Sequence, residues 1–167
     1  MATDNFQAHD YYLMDELLSD EHKLIRETAR AWVKKEVSPI VEDACQKAEF
    51  PKQWIKGLAS IGAFGPYIPV EYGGAGLDQI SYGIIMQELE RGDSGLRSTA
   101  SVQSSLVMFP IYSYASEAQK MKYLPKLATG EWAASYCLTE PSSGSDALGA
   151  KTVATLSEDG KEWILNG

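Results

Sequence analysis

Between Ser19 and Val41 the apolar positions Leu24, Ile25, Ala29, Trp32, Val33, Val37, Ile40 and Val41 recur at helical spacing. Ser19 stands where an N-cap belongs, and Asp20 and Glu21 follow in the first turn, facing the positive end of the helix dipole. Pro39 falls inside this pattern and predicts a kink or break there, because proline has no N–H to donate. A second helix is predicted from Pro51 to Ile61, with Pro51 in the first turn and Gly62 at the stop. Gly65 to Gly76 reads as loop, with Pro66, Pro69 and the run Gly73-Gly74-Ala75-Gly76. Asp78 caps a third helix whose apolar positions are Ile80, Tyr82, Ile84, Ile85 and Leu89. A fourth helical stretch begins at Asp93-Ser94 and runs toward Ala115, interrupted near Pro110. Ser116 caps a fifth, from Glu117 to Leu127, which Gly130 closes.

The pattern changes after Gly130, so a domain boundary is expected there, dividing the chain into 1–130 and 131–167. Trp132 to Leu138 is short, apolar and aromatic, as a buried strand would be. Thr139 to Gly149 is a loop rich in serine and glycine. Lys151 to Leu156 and Lys161 to Leu165 read as strands joined by the hairpin signal Asp159-Gly160. Asn166-Gly167 is a second turn signal directly after a strand, which normally introduces a returning strand. Three strands with an open edge do not make a stable β domain. The chain is therefore expected to be a piece of something longer.

Composition narrows the choice of function. The 167 residues are 44% apolar and 23% charged, an ordinary globular mixture. The net charge of -8 speaks against gripping a phosphate backbone, so no nucleic-acid partner is expected. No apolar run has the length of a membrane span. Met1 to Asp10 is polar and lacks a basic segment followed by an apolar one. Two cysteines, Cys45 and Cys137, without a CxxC pattern, suit a reducing compartment; a cytoplasmic protein is expected. His9 and His22 lack metal-ligand spacing, so no metal site is expected.

The most specific segment is Tyr136-Cys137-Leu138-Thr139-Glu140-Pro141-Ser142-Ser143-Gly144-Ser145-Asp146. It is a loop of small residues, hydroxyls and backbone amides that a flat ligand or a pyrophosphate can approach closely. Loops of serine and glycine mostly only connect strands. As a whole string, however, this one resembles the signature of the acyl-CoA dehydrogenase family. The resemblance extends from Ser19 onward. Leu124-Pro125-Lys126-Leu127-Ala128-Thr129-Gly130-Glu131 resembles the family's run from its helical domain into its middle β domain, and Gly73-Gly74-Ala75-Gly76 its glycine loop. Within the family, Glu88-Leu89-Glu90-Arg91-Gly92-Asp93-Ser94-Gly95-Leu96-Arg97-Ser98 and Ser101-Val102-Gln103-Ser104-Ser105-Leu106-Val107-Met108 resemble the branch that acts on glutaryl-CoA. One departure is Leu96, where that branch has a tyrosine.

The resemblance implies a mainly α fold: an N-terminal helical bundle, then the first strands of an antiparallel, barrel-like middle domain, with the family's C-terminal helical domain absent. It implies FAD as cofactor, lined by Tyr136, Cys137, Leu138, Thr139, Glu140, Pro141, Ser142, Ser143, Gly144 and Ser145, with Leu138 and Thr139 nearest the isoalloxazine. Ser145 also touches the acyl-CoA. Arg97 and Ser98 take the positions that meet the free carboxylate of the substrate, which suits a guanidinium's permanent charge and forked donors. Spacing alone favours reading Arg97 as a surface helix arginine paired with Glu90 or Asp93, and it is the resemblance that assigns it to the substrate. Glu90 is implied to help govern proton transfer and decarboxylation. The implied reaction is α,β-desaturation of glutaryl-CoA with loss of CO₂ to crotonyl-CoA, the base that removes the α-proton lying in the absent domain and not in this chain. This piece alone is expected to be inactive. An electron-transferring flavoprotein is the implied acceptor and a homotetramer the implied assembly. Two other functions stay open: a dehydrogenase of a short monocarboxylic acyl-CoA, and a non-catalytic helical module that binds acyl-CoA or a protein.

Overall fold

The computed structural model describes residues 9–167 and divides into two compact units, one ending at Ser135 and one running from Tyr136 to Gly167. Of the polar Met1–Asp10 segment, residues 1–8 lie outside the described residues.

The first unit is helical. It consists of α1 (Asp20–Trp32), α2 (Val41–Gln46), α3 (Gln53–Ser60), α4 (Gln79–Gly92), α5 (Ser94–Ser101), α6 (Phe109–Tyr114) and α7 (Glu117–Ala128). The caps follow the polar residues expected from the sequence. The Ser19 hydroxyl accepts the His22 N–H, while the Ser19 N–H donates to His22 Nδ1. Asp78 accepts the Ser81 N–H that begins α4, and Asp93 accepts the Leu96 N–H that begins α5. Ser116 and Gln119 form the box at the start of α7.

Pro39 and Pro110 each break the helical ladder after a wide turn. Val33–Val37 is π-helical, with the Ser38 N–H reaching back five residues to the Val33 carbonyl at 3.0 Å. The chain then turns through Pro39 before α2. Val102–Met108 is a second π segment, closed by the Phe109 N–H on the Ser104 carbonyl, and Pro110 opens α6 directly after it. A proline lacks the N–H and crowds the carbonyl four residues before it; the wider π turn relieves both problems.

Leu58, Ile68, Leu89, Leu96, Met108 and Leu124 are fully buried and join the helices into one core. Ile85 and Leu89 of α4 join this core and Ile84 is buried, as their spacing predicts, whereas Leu24 and Ile80, on the same apolar patterns, are exposed. The glycine loop is part of the packing. A Cβ on Gly74 would collide with the Ile68 carbonyl, so only glycine fits there.

The second unit is a hairpin with a preceding loop. β1 (Val153–Leu156) pairs antiparallel with β2 (Trp163–Asn166), Leu156 opposite Trp163 and Val153 opposite Asn166. Gly160 turns the chain with φ of +70°, as the Asp-Gly signal predicts. The expected strand over Trp132–Leu138 does not form. Both described strands lie beyond this segment, it pairs with neither, and Ser135 to Thr139 is exposed. Among the described residues two strands are therefore present rather than three. Trp132 to Ala134 is instead tied to the helical unit through Gln103.

Candidate functional site

Glu90, Ser94, Arg97 and Ser101 meet where α4 passes into α5. Asp93 ends α4 and caps α5, so the last turn of one helix lies against the first turns of the other. Arg97 Nε donates to Glu90 Oε2 at 2.6 Å, and the Ser94 hydroxyl donates to Glu90 Oε1 at 2.6 Å. Arg97 Nη1 reaches Ser101 Oγ at 3.4 Å. These two donors, Arg97 first, hold the Glu90 carboxyl below its ordinary range. The Arg97 side chain is 35% exposed and that of Glu90 45%. The ion pair is thus a partly solvated one. Ser98, next to Arg97, is half-buried and lines a mostly apolar pocket of about 290 Å³ with Ile55, Phe64, Val102, Gln103, Trp132 and Ala134.

Gln103 closes one wall of that pocket. Its side chain is buried; Nε2 donates to the carbonyls of Leu127 and Trp132 at 2.9 and 2.8 Å, and Oε1 accepts the Ala134 N–H at 2.9 Å. One side chain therefore fixes the path of the chain after α7. The sequence signal for it was a glutamine on the same helical face as Ala100 and Ser104, both buried. Glu88 is a second buried polar residue of this unit. It is 2% exposed and gripped by the Arg30 guanidinium, with Nε–Oε2 at 2.9 Å and Nη2–Oε1 at 2.8 Å, which staples α1 to α4.

In the second unit the loop from Tyr136 is pinned at a few points and otherwise open. Glu140 and Ser143 exchange backbone hydrogen bonds at 2.9 and 3.1 Å, and the buried Ser143 hydroxyl donates to the Asp146 carbonyl at 2.6 Å. The Glu140 carboxylate accepts the N–H groups of Lys151 at 2.6 Å and Thr152 at 3.0 Å, bonds that lower its pKa. Glu140 and Ser143 are thus occupied in shaping the loop, while Tyr136, Cys137, Leu138, Thr139, Pro141, Ser142, Gly144 and Ser145 are exposed. A Cβ on Gly144 would meet nothing, so the chain's own packing does not call for glycine there.

His22 Nε2 lies 2.9 Å from Asp78 Oδ2, and Cys45 and Cys137 are free thiols. No cluster of metal ligands occurs among the described residues, and no described helix is long and apolar enough to cross a membrane.

Comparison with known proteins agrees over nearly the whole chain. Residues 19–131 match the family description "Acyl-CoA dehydrogenase, N-terminal domain". A probable acyl-CoA dehydrogenase of Bacillus subtilis is 42% identical over 96% of this chain and 27% of its own length. The crystal structure of a glutaryl-CoA dehydrogenase from Mycobacterium smegmatis in complex with FADH2 superposes with a TM-score of 0.87 at 42% identity, over 93% of this chain and 40% of that one. Butyryl-CoA dehydrogenase from Megasphaera elsdenii does so with a TM-score of 0.82 at 36% identity, over 90% and 40%. The chain thus spans between about a quarter and two-fifths of the length of these relatives. A family match over residues 19–131 together with a shared helical fold places this chain in the acyl-CoA dehydrogenase family.

Proposed function

We propose that the chain is the N-terminal part of an FAD-dependent acyl-CoA dehydrogenase whose substrate is glutaryl-CoA. The observation that carries the substrate is Arg97: a guanidinium held by its Nε, with Nη2 meeting no acceptor among the described residues, beside the half-buried hydroxyl of Ser98. A carboxylate at the far end of an acyl chain fits that edge bidentately, and Ser98 supplies one further donor. A monocarboxylic chain offers the open edge of Arg97 no partner and gains nothing from it.

FAD fits the second unit by the chemistry of its donors. Thr139, Ser142 and Ser145 present exposed hydroxyls, and Leu138 and Tyr136 present exposed apolar faces of 44% and 49%. The open space beside Gly144 suits a flat group lying against the backbone. Tyr136 to Ser145 are the residues proposed to hold it, with Glu140 and Ser143 keeping the loop in shape. When bound, FAD supplies the acceptor for the hydride that leaves the β-carbon. Arg97 and Ser98 orient the distal carboxylate, and Glu90 holds Arg97 while exchanging protons near the carboxylate that is lost as CO₂. The α-proton base belongs to the part of the protein beyond this chain, as do the surfaces of a homotetramer. The reduced protein passes its electrons to an electron-transferring flavoprotein.

One observation favours a second reading, a short monocarboxylic substrate. Glu90 already neutralises Arg97 at 2.6 Å, as expected of a surface pair. The full-length protein decides between them. On the glutaryl-CoA reading it purifies with visible flavin absorbance, and its kcat/KM is higher for glutaryl-CoA than for butyryl-CoA. Arg97→Gln lowers kcat/KM for glutaryl-CoA by at least about tenfold, the loss of a charge-assisted contact, with a far smaller effect on butyryl-CoA. Equal losses on both substrates would rule out a carboxylate role for Arg97.

A further inference from the structure

We infer that Ser94 is a specificity-determining positioning residue, which keeps the outer edge of the Arg97 guanidinium open for a substrate carboxylate by tying down one oxygen of Glu90. The inference rests on the glutaryl-CoA reading above.

An arginine and a carboxylate left to themselves prefer the two-bond, fork-on-fork pairing. Arg30 and Glu88 adopt that pairing through Nε and Nη2, Glu88 standing two residues before Glu90 on α4. Glu90 and Arg97 do not. Only Nε meets Glu90, through Oε2, and the second oxygen is turned to the Ser94 hydroxyl at 2.6 Å. Nη1 has the long 3.4 Å contact to Ser101, and Nη2 has no acceptor among the described residues. The guanidinium is thus oriented through Nε, with Nη1 held by the long Ser101 contact alone and Nη2 without an acceptor among the described residues, and a carboxylate needs that terminal pair to dock side by side.

Ser94 is placed for this by the helix junction. It is the first residue of α5, directly after the Asp93 cap, and lies four residues from Glu90 across the end of α4. It is exposed and takes no part in the core, so its hydroxyl can be removed without opening a cavity. Without it, Glu90 Oε1 is released to swing onto Nη2 and close the fork. The substrate carboxylate must then displace a two-bond pair instead of occupying an open edge. A monocarboxylic acyl chain does not compete for this edge at all.

The test uses the full-length flavin-loaded protein with glutaryl-CoA and butyryl-CoA as substrates. Ser94→Ala is expected to raise KM for glutaryl-CoA about tenfold, the size of one charge-assisted contact, and KM for butyryl-CoA less than twofold. Ser94→Thr, which keeps the hydroxyl, restores the glutaryl-CoA KM. Ser94→Ala with an unchanged ratio of the two KM values overturns the inference, as does an equal rise on both substrates, which marks Ser94 as merely structural. Arg97→Gln is measured alongside. If it lowers the preference for glutaryl-CoA while Ser94→Ala does not, the role of Ser94 fails and the substrate reading stands. If neither variant changes the preference, the substrate reading fails and the inference falls with it.

Discussion

Replacing Gln103 tests whether one buried side chain fixes the chain's path after α7. Gln103→Ala removes three hydrogen bonds at once, to the Leu127 and Trp132 carbonyls and from the Ala134 N–H. The three partners do not suffer equally. The Leu127 carbonyl keeps the Gly130 N–H at 3.1 Å, so it stays satisfied. The Trp132 carbonyl and the Ala134 N–H lose the partners that Gln103 gave them. A buried group left in this state costs about 1–3 kcal/mol, toward the low end where water can reach it. Water has a way in: Gln103, Trp132 and Ala134 all line the pocket of about 290 Å³. The expected loss for Gln103→Ala is therefore about 2–4 kcal/mol. Gln103→Leu loses the same bonds but fills the space and keeps water out, so it is expected to cost more than alanine. Urea unfolding at constant m reads both values, and hydrogen exchange at the Ala134 amide reads the local effect. A loss below about 0.5 kcal/mol, the scale of an ordinary surface substitution, would refute the reasoning. So would unchanged protection of Ala134.

Two further outcomes are expected. Arg30→Met strands the Glu88 carboxylate, which is 2% exposed, and leaves it the more distant Arg91 guanidinium, 3.9 Å away. The cost is about 2–3 kcal/mol, below that of a fully buried pair because Arg30 itself is partly solvated, and Glu88→Gln costs less; the opposite order in denaturant midpoints would contradict this assignment. Asp78 is held down to about 2 from an ordinary 3.8 by the Ser81 backbone N–H, then the Ser81 hydroxyl, then His22. Its folded-state pKa is depressed, so its contribution to stability is present above pH 3.8 and is lost as pH falls toward about 2. The difference in melting temperature between the parent and Asp78→Asn is expected to shrink across that window; a difference that stays constant there would exclude a role for the Asp78 charge.

Much of the fold was legible in the chain because its determinants are local. Ser19, Asp78, Asp93 and Ser116 cap helices through side chains only three residues from the amides or partners they meet. Pro39 and Pro110 mark breaks because a missing N–H acts where it stands. The Asp159-Gly160 turn specifies its hairpin for the same reason. The Glu90–Arg97 pair could be named from spacing as well, since the two positions are only seven residues apart.

The tertiary structure decided what depends on partners far away in the chain. Trp132 to Leu138 has the composition of a strand, but a strand needs a neighbour to satisfy its backbone. The N–H of Ala134 and the carbonyl of Trp132 find one in Gln103, about thirty residues back, so the segment becomes a tether. Glu88 reads as one more charge on a helix until α1 brings Arg30 against it across 58 positions. The free edge of Arg97 follows from which oxygen of Glu90 the Ser94 hydroxyl occupies, a matter of angstroms at a helix junction. Sequence patterns set where helices begin and end, because capping and periodicity act over a few residues. Which polar groups are satisfied, and which are left open to a ligand, is set by the packing that brings their partners within hydrogen-bond distance.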